Sequence, residues 1–193
     1  VITDRLLARL AVLLAPDVTA TGAGTGVPTA SEVLHHVVVE HGESMFRLAL
    51  SITRDAALAE DVTQEALTKA WLALPTFRGD GSLRSWLLRI THNTAMSMLR
   101  GRRTDAVDPA DMIDLSSGGR HVDDAVTDRA AVAAFRDALD DMDEVSRQIV
   151  VLREVEGLAY EDIAAILGVP LPTVKTRLLR ARRRLVHVLE PWR

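Results

Sequence analysis

Apolar residues recur three and four positions apart through most of this chain, the spacing of helices that each bury one face. One stripe runs through Leu83, Trp86, Leu87, Ile90 and Thr94. A second runs through Leu58, Val62, Ala66 and Trp71, and a third through Val174, Leu178, Ala181 and Leu185. The pattern predicts helices over residues 31–52, 56–74, 83–100, 124–139, 143–155, 159–167 and 172–189. Ser31 is suited to cap the first, Pro75 to end the second and Gly101 to stop the third. No segment alternates with period two long enough for a strand, so the expected class is all-α.

Between the helical stretches the composition changes. Residues 15–30, "APDVTATGAGTGVPTA", lack periodicity and read as a flexible linker after a short amphipathic helix over residues 3–15. Residues 102–122 carry Pro109, Ser116, Ser117, Gly118, Gly119 and scattered Asp, the composition of an extended connector. The expected organisation is therefore an N-terminal extension (1–30), a helical domain (31–103), an acidic flexible linker (104–123) and a second helical domain (124–193).

Composition narrows the function classes. The 193 residues are 48% hydrophobic but only 4% aromatic, and they include no cysteine, which excludes disulfides and thiolate metal sites. No stretch approaches the roughly 20 apolar residues of a membrane span, and Asp4 and Arg9 interrupt any signal-like core at the N-terminus. A soluble, cytoplasmic protein is expected. The six histidines show no metal-binding spacing with carboxylates, and no nucleophile, base and orienter set is apparent, so neither cofactor nor catalysis is expected.

Charge is segregated more than the net value of −4 suggests. Residues 104–128 hold seven Asp against Arg120 alone, whereas Lys175, Arg177, Arg180, Arg182, Arg183, Arg184 and Arg193 face only Glu190. From Gly81 to Arg103 there is no acid at all. Two separate basic helices in an acidic chain point to a polyanion as partner.

The stretch "LAYEDIAAILGVPLPTVKTRLLRARRRL" has the grammar of a helix-turn-helix. Ile163, Ala164 and Leu167 stripe the first helix, Gly168 supplies the stop, Val169 plugs the turn and Pro172 sits where a missing N–H costs nothing. The outer face of the second helix keeps Lys175, Thr176, Leu179, Arg180 and Arg183, suited to bases and phosphates.

Two segments carry a resemblance. "HGESMFRLALSITRDAALAEDVTQEALTKAWLALPTFRGDGSLRSWLLRITHNTAMSMLR" resembles region 2 of the extracytoplasmic-function sigma factors of RNA polymerase, and "RQIVVLREVEGLAYEDIAAILGVPLPTVKTRLLRARRRL" resembles their region 4. Together they span about residues 41–189. The resemblance implies promoter recognition on behalf of core RNA polymerase, with a cognate anti-sigma factor as a further partner.

It also implies roles. Asp61, Gln64, Glu65 and Thr68 match the face that binds the polymerase clamp. Phe77, Arg78, Gly79, Asp80 and Ser82 match a loop that captures a flipped base, and Arg89, Asn93, Met96 and Arg100 line the helix beside the −10 element. Thr173, Lys175, Thr176, Arg177, Leu179, Arg180 and Arg183 match the −35 recognition helix. Trp86 is expected in the core rather than as a stacking platform. The linker over residues 15–30 and Pro172 depart from the family pattern. The alternatives are a free-standing helix-turn-helix regulator and a module whose basic helices bind an acidic protein.

Overall fold

A computed structural model of the chain describes residues 30–77, 81–105 and 126–192. The expected helix over 3–15, the linker over 15–30 and most of the acidic connector lie outside those residues. The described part is helical throughout. Three long helices, α1 (Ala30–Thr53), α2 (Ala56–Ala73) and α3 (Leu83–Asp105), form the N-terminal unit. The C-terminal unit holds α4 (Val126–Asp140), α5 (Glu144–Val150), α6 (Tyr160–Leu167) and α7 (Leu171–Leu189).

The periodic stripes become the core. Met45, Leu48 and Ala49 of α1 meet Leu58, Val62, Ala66 and Leu67 of α2 and Leu87 and Leu88 of α3, all essentially out of water. Burial of this kind is the main favourable term in folding, about 25 cal/mol per Å² of apolar surface. Arg54 turns the chain between α1 and α2 at φ +57, and Asp55 caps α2, accepting from the amides of Ala57 (2.9 Å) and Leu58 (3.1 Å). In the C-terminal unit Ile163, Ile166, Val174, Leu178, Ala181 and Leu185 pack together, and Gly168 ends α6 at φ 65, a left-handed conformation that glycine adopts without steric cost.

Two boundary expectations are corrected. Ser31 lies inside α1, which begins at Ala30, so it is no N-cap. Gly101 lies inside α3, which continues to Asp105. A mid-helix glycine costs about 1 kcal/mol relative to alanine, a penalty that a long helix can absorb.

The expected helix over 143–155 is two pieces. α5 is followed by a π-helical turn, Val151–Val155, and then by Glu156 and by Gly157 at φ 69. That irregular stretch touches α1, and the two units pack against each other through α1 with α5 and α3 with α6.

Candidate nucleic-acid and polymerase interface

Three outward faces collect the residues singled out in the sequence. On α2, Asp61 and Glu65 are exposed while Gln64 and Thr68 are half-buried. The Thr68 hydroxyl donates back to the Gln64 carbonyl at 3.0 Å, and Glu65 pairs with Lys69 at 3.3 Å. Leu72, four residues beyond Thr68, is 73% exposed. Positions 61, 65, 68 and 72 share one side of a helix, so this leucine extends the polar stripe with an apolar end. The same arithmetic applied to the sequence finds it, since no inward stripe claims it.

The second face belongs to α3 and the chain just before it. Arg89, Asn93 and Arg100 are exposed and Met96 is half-buried, while Leu87, Thr91, Thr94 and Ala95 turn inward. The Ser82 hydroxyl accepts from the Ser85 amide at 3.0 Å, so Ser82 serves as the cap of α3. Arg78, Gly79 and Asp80 lie outside the described residues.

Trp86 is half-buried, with its ring 5.1 Å from that of Phe77 and tilted by 45°. Such a tilted pair is a favourable aromatic contact. Beside it opens a cavity of about 310 Å³. Phe77, Ser82, Trp86 and Arg89 line it from the N-terminal unit, and Asp162, Ala165 and Ile166 line it from α6. Trp86 therefore packs on the core with one side and walls a cavity with the other, a double placement that helical periodicity does not disclose.

The third face is α7. Val174, Leu178, Ala181 and Leu185 are buried, and Lys175, Thr176, Leu179, Arg180 and Arg183 are exposed. Thr173 is half-buried. The basic residues divide into two sets. Arg177 reaches Asp143 at 2.6 Å, Arg182 reaches Glu154 at 2.8 Å and Arg184 reaches Asp141 at 2.7 Å. Among the described residues Lys175, Arg180 and Arg183 have no ion-pair partner, so their charge is directed outward. Arg177, which the resemblance matched to the −35 recognition helix, is paired here with Asp143.

A half-buried histidine and a buried arginine complete the electrostatics. His92, on α3, is held below its usual pKa first by burial, with Asn93, Glu144 and Gln148 opposing the shift. Its Nδ1 is buried without a hydrogen-bond partner. Arg147, 5% exposed, donates to the carbonyls of Ser51 and Met142, each at 3.1 Å, which ties α5 to the end of α1. Among the described residues no helix is long and apolar enough to cross a membrane.

Comparisons with known proteins place both helical units in one family. Residues 37–104 match the family model described as Sigma-70 region 2, and residues 133–185 the one described as Sigma-70, region 4. The chain is 35% identical over 164 residues to the RNA polymerase sigma-H factor of Pseudomonas aeruginosa, spanning 80% of this chain and 85% of that one. It is 37% identical over 141 residues to the ECF RNA polymerase sigma-E factor of Escherichia coli K12, spanning 68% and 73%. The sigma factor RpoE, solved with the anti-sigma factor NepR from Bartonella quintana, superposes with a TM-score of 0.69 at 28% identity, covering 80% of this chain and 94% of that one. CnrH, solved with the cytosolic domain of CnrY, gives 0.58 at 25% identity and 98% of each chain.

Proposed function

We propose how a chain that belongs to the sigma-70 family, as an RNA polymerase sigma factor of the extracytoplasmic-function type, divides its work among the faces described above. The chain directs core RNA polymerase to specific promoters and helps open the −10 element. The observation that carries this is the pair of matched regions, in order, on two helical units that each present a cationic outer face. A free-standing helix-turn-helix regulator is not favoured, because region 2 accounts for the N-terminal unit.

The residue assignments are our reading. Asp61, Gln64, Glu65 and Thr68 dock on core polymerase, and Leu72 adds an apolar anchor at the end of that stripe. The cavity walled by Phe77, Ser82, Trp86 and Arg89 receives an unstacked base of the −10 strand, with Asn93, Met96 and Arg100 following the strand along α3. Arg78, Gly79 and Asp80, outside the described residues, are assigned to the same −10 contact by the resemblance alone. An unstacked base needs an aromatic or apolar wall and a nearby cation for its phosphate, and this cavity offers both.

Lys175, Thr176, Leu179, Arg180 and Arg183 meet the −35 element, Leu179 offering an apolar contact to a thymine methyl. Thr173 and Arg177 sit at the edge of that contact. Residues 31–103 and 124–193 act as the two domains, tethered by the acidic segment 104–123. The protein contributes no catalysis, acts in the cytoplasm beside polymerase, and is held in check by a cognate anti-sigma factor, as the complexed states of RpoE and CnrH suggest.

Run-off transcription with core enzyme tests the whole reading. The wild-type chain should give promoter-dependent transcripts. Asp61→Arg should lose them through failed assembly, and Asn93→Ala should assemble but initiate poorly. Identical output from all three chains and from core enzyme alone would refute it.

A further inference from the structure

The two regions are joined by a polar lock, and the lock holds α6 across the cavity of the −10 face. Glu156 is 2% exposed, although a glutamate is rarely buried without partners. It follows the π turn Val151–Val155 and precedes Gly157 at φ 69, so two successive departures from α geometry set its carboxylate against region 2. There Arg47 Nε donates to one carboxylate oxygen at 2.7 Å and Arg84 donates to the other. Both guanidiniums also donate to the Ser44 hydroxyl, at 3.2 and 3.3 Å.

Further ties lie at the end of α1, where Arg54 donates to the Asp140 carbonyl and the buried Arg147 donates to the Ser51 carbonyl. In the same contact α6 lies against α3, and Asp162, Ala165 and Ile166 close one side of the cavity. A carboxylate therefore sits in the wall of a cavity that Arg89 also lines. A DNA strand entering there would meet like charge.

The lock is polar and can be reached by solvent from one side. The Arg47 and Arg84 side chains remain 39% and 36% exposed, so solvent reaches the arginine side of the lock, whereas the Glu156 side chain is fully buried and depends on both arginines for its charge.

We propose that Glu156 latches the chain closed on itself: region 4, docked through Glu156 to Arg47 and Arg84, covers the −10 cavity with α6, and the cavity takes up separated promoter DNA only after the latch releases. The covering role rests on the assignment of that cavity to the −10 strand; the latch itself does not.

The test uses the full chain in three forms. Glu156→Lys places a cation between two arginines. Arg47→Glu breaks the same lock from the partly exposed region 2 side, so a folding defect in region 4 cannot decide the outcome. The chain has no cysteine, so Arg54→Cys with Asp140→Cys allows a short bis-maleimide to fix the closed state at the edge of the contact. Small-angle X-ray scattering reads the radius of gyration, and fluorescence anisotropy reads binding of a labelled single-stranded oligonucleotide of randomised sequence.

Either lock variant should expand the chain and tighten oligonucleotide binding by about tenfold, and cross-linking should weaken binding by a similar factor. The gain should vanish when Arg89→Ala is added. Lock variants that stay compact overturn the latch. Expansion without any gain in binding overturns the covering role. A gain that survives Arg89→Ala overturns instead the −10 assignment beneath it.

Discussion

Arg177 reaches from the recognition helix α7 back to Asp143, the N-cap of α5, with Nη1 2.6 Å from Oδ1 and a second donation to the Ser146 hydroxyl at 3.1 Å. The same carboxylate oxygen accepts from the Ser146 amide at 3.1 Å. One carboxylate therefore caps one helix and anchors another, and the helix it anchors is the one proposed to read the −35 element.

This separates stability from DNA affinity on α7. Asp143→Ala should cost about 1 kcal/mol for the lost cap, with a further contribution from Arg177. Arg177→Ala should lower the melting temperature while leaving the salt dependence of −35 duplex binding nearly unchanged. Lys175→Ala and Arg180→Ala should do the reverse, each reducing the slope of log K against log salt by about 0.9. A full unit of slope lost with Arg177→Ala would show that it leaves Asp143 for a phosphate.

The pKa of Asp143 gives that relationship a pH signature. Burial alone would raise it, but hydrogen bonds from Ser146 and the charge of Arg177 hold it below the ordinary carboxylate value of 3.8. The folded state thus binds fewer protons than the unfolded one. The stabilisation is complete above that ordinary value and is lost as pH falls through the lower folded value. Asp143→Asn should remove this part of the acid transition in urea melts at successive pH values.

His92 acts at milder acidity. Burial is the main cause of its lowered pKa, and Glu144, Asn93 and Gln148 only partly offset it. The unfolded chain takes up its proton first, so stability falls as pH drops below the ordinary value of 6.5 and levels off beneath the folded pKa. His41 adds a slope of the same sign, again chiefly from burial. His92→Gln should flatten the decline in melting temperature between about pH 7 and pH 5. An unaltered profile would mean that Nδ1 finds a proton acceptor on acidification.

Leu72 separates docking from folding on α2. At 73% exposure it contributes little to the core, so Leu72→Asp should leave the unfolding free energy within about 0.5 kcal/mol of wild type. If it is the apolar end of the polymerase contact, the same change should weaken assembly with core enzyme by about tenfold or more. Co-sedimentation with core polymerase measures it, and unchanged assembly would confine the contact to Asp61, Gln64, Glu65 and Thr68.

The sequence disclosed what is local and periodic. The α7 stripe of Val174, Leu178, Ala181 and Leu185 is buried as its spacing requires, and Gly168 stops α6 as expected, in a left-handed conformation. It did not disclose relationships between residues far apart in the chain. Glu156 and Arg47 are 109 positions apart, and no local pattern marks which of many charges will pair. The commitments of Arg177, Arg182 and Arg184 are hidden for the same reason, since each acid lies on or beside another helix. Gly101 misled because a glycine signals a helix end only where the chain must reverse, and α3 continues past it.

Trp86 gives the sharpest test of what α3 does with its exposed edge. Its ring packs on Phe77 at 5.1 Å and on the core beneath, while its outer side walls the cavity. Trp86→Ala should remove both functions and destabilise region 2 by about 3 kcal/mol, somewhat less than a fully buried tryptophan because the site is half-buried. Trp86→Leu keeps much of the apolar volume but loses the aromatic face, and should cost under about 1.5 kcal/mol. If that face supports an unstacked base, Trp86→Leu should still slow promoter opening, as read by permanganate reactivity of −10 thymines in the complex with polymerase. The wild-type rate with Trp86→Leu would return Trp86 to a purely structural role and leave Phe77 as the aromatic wall.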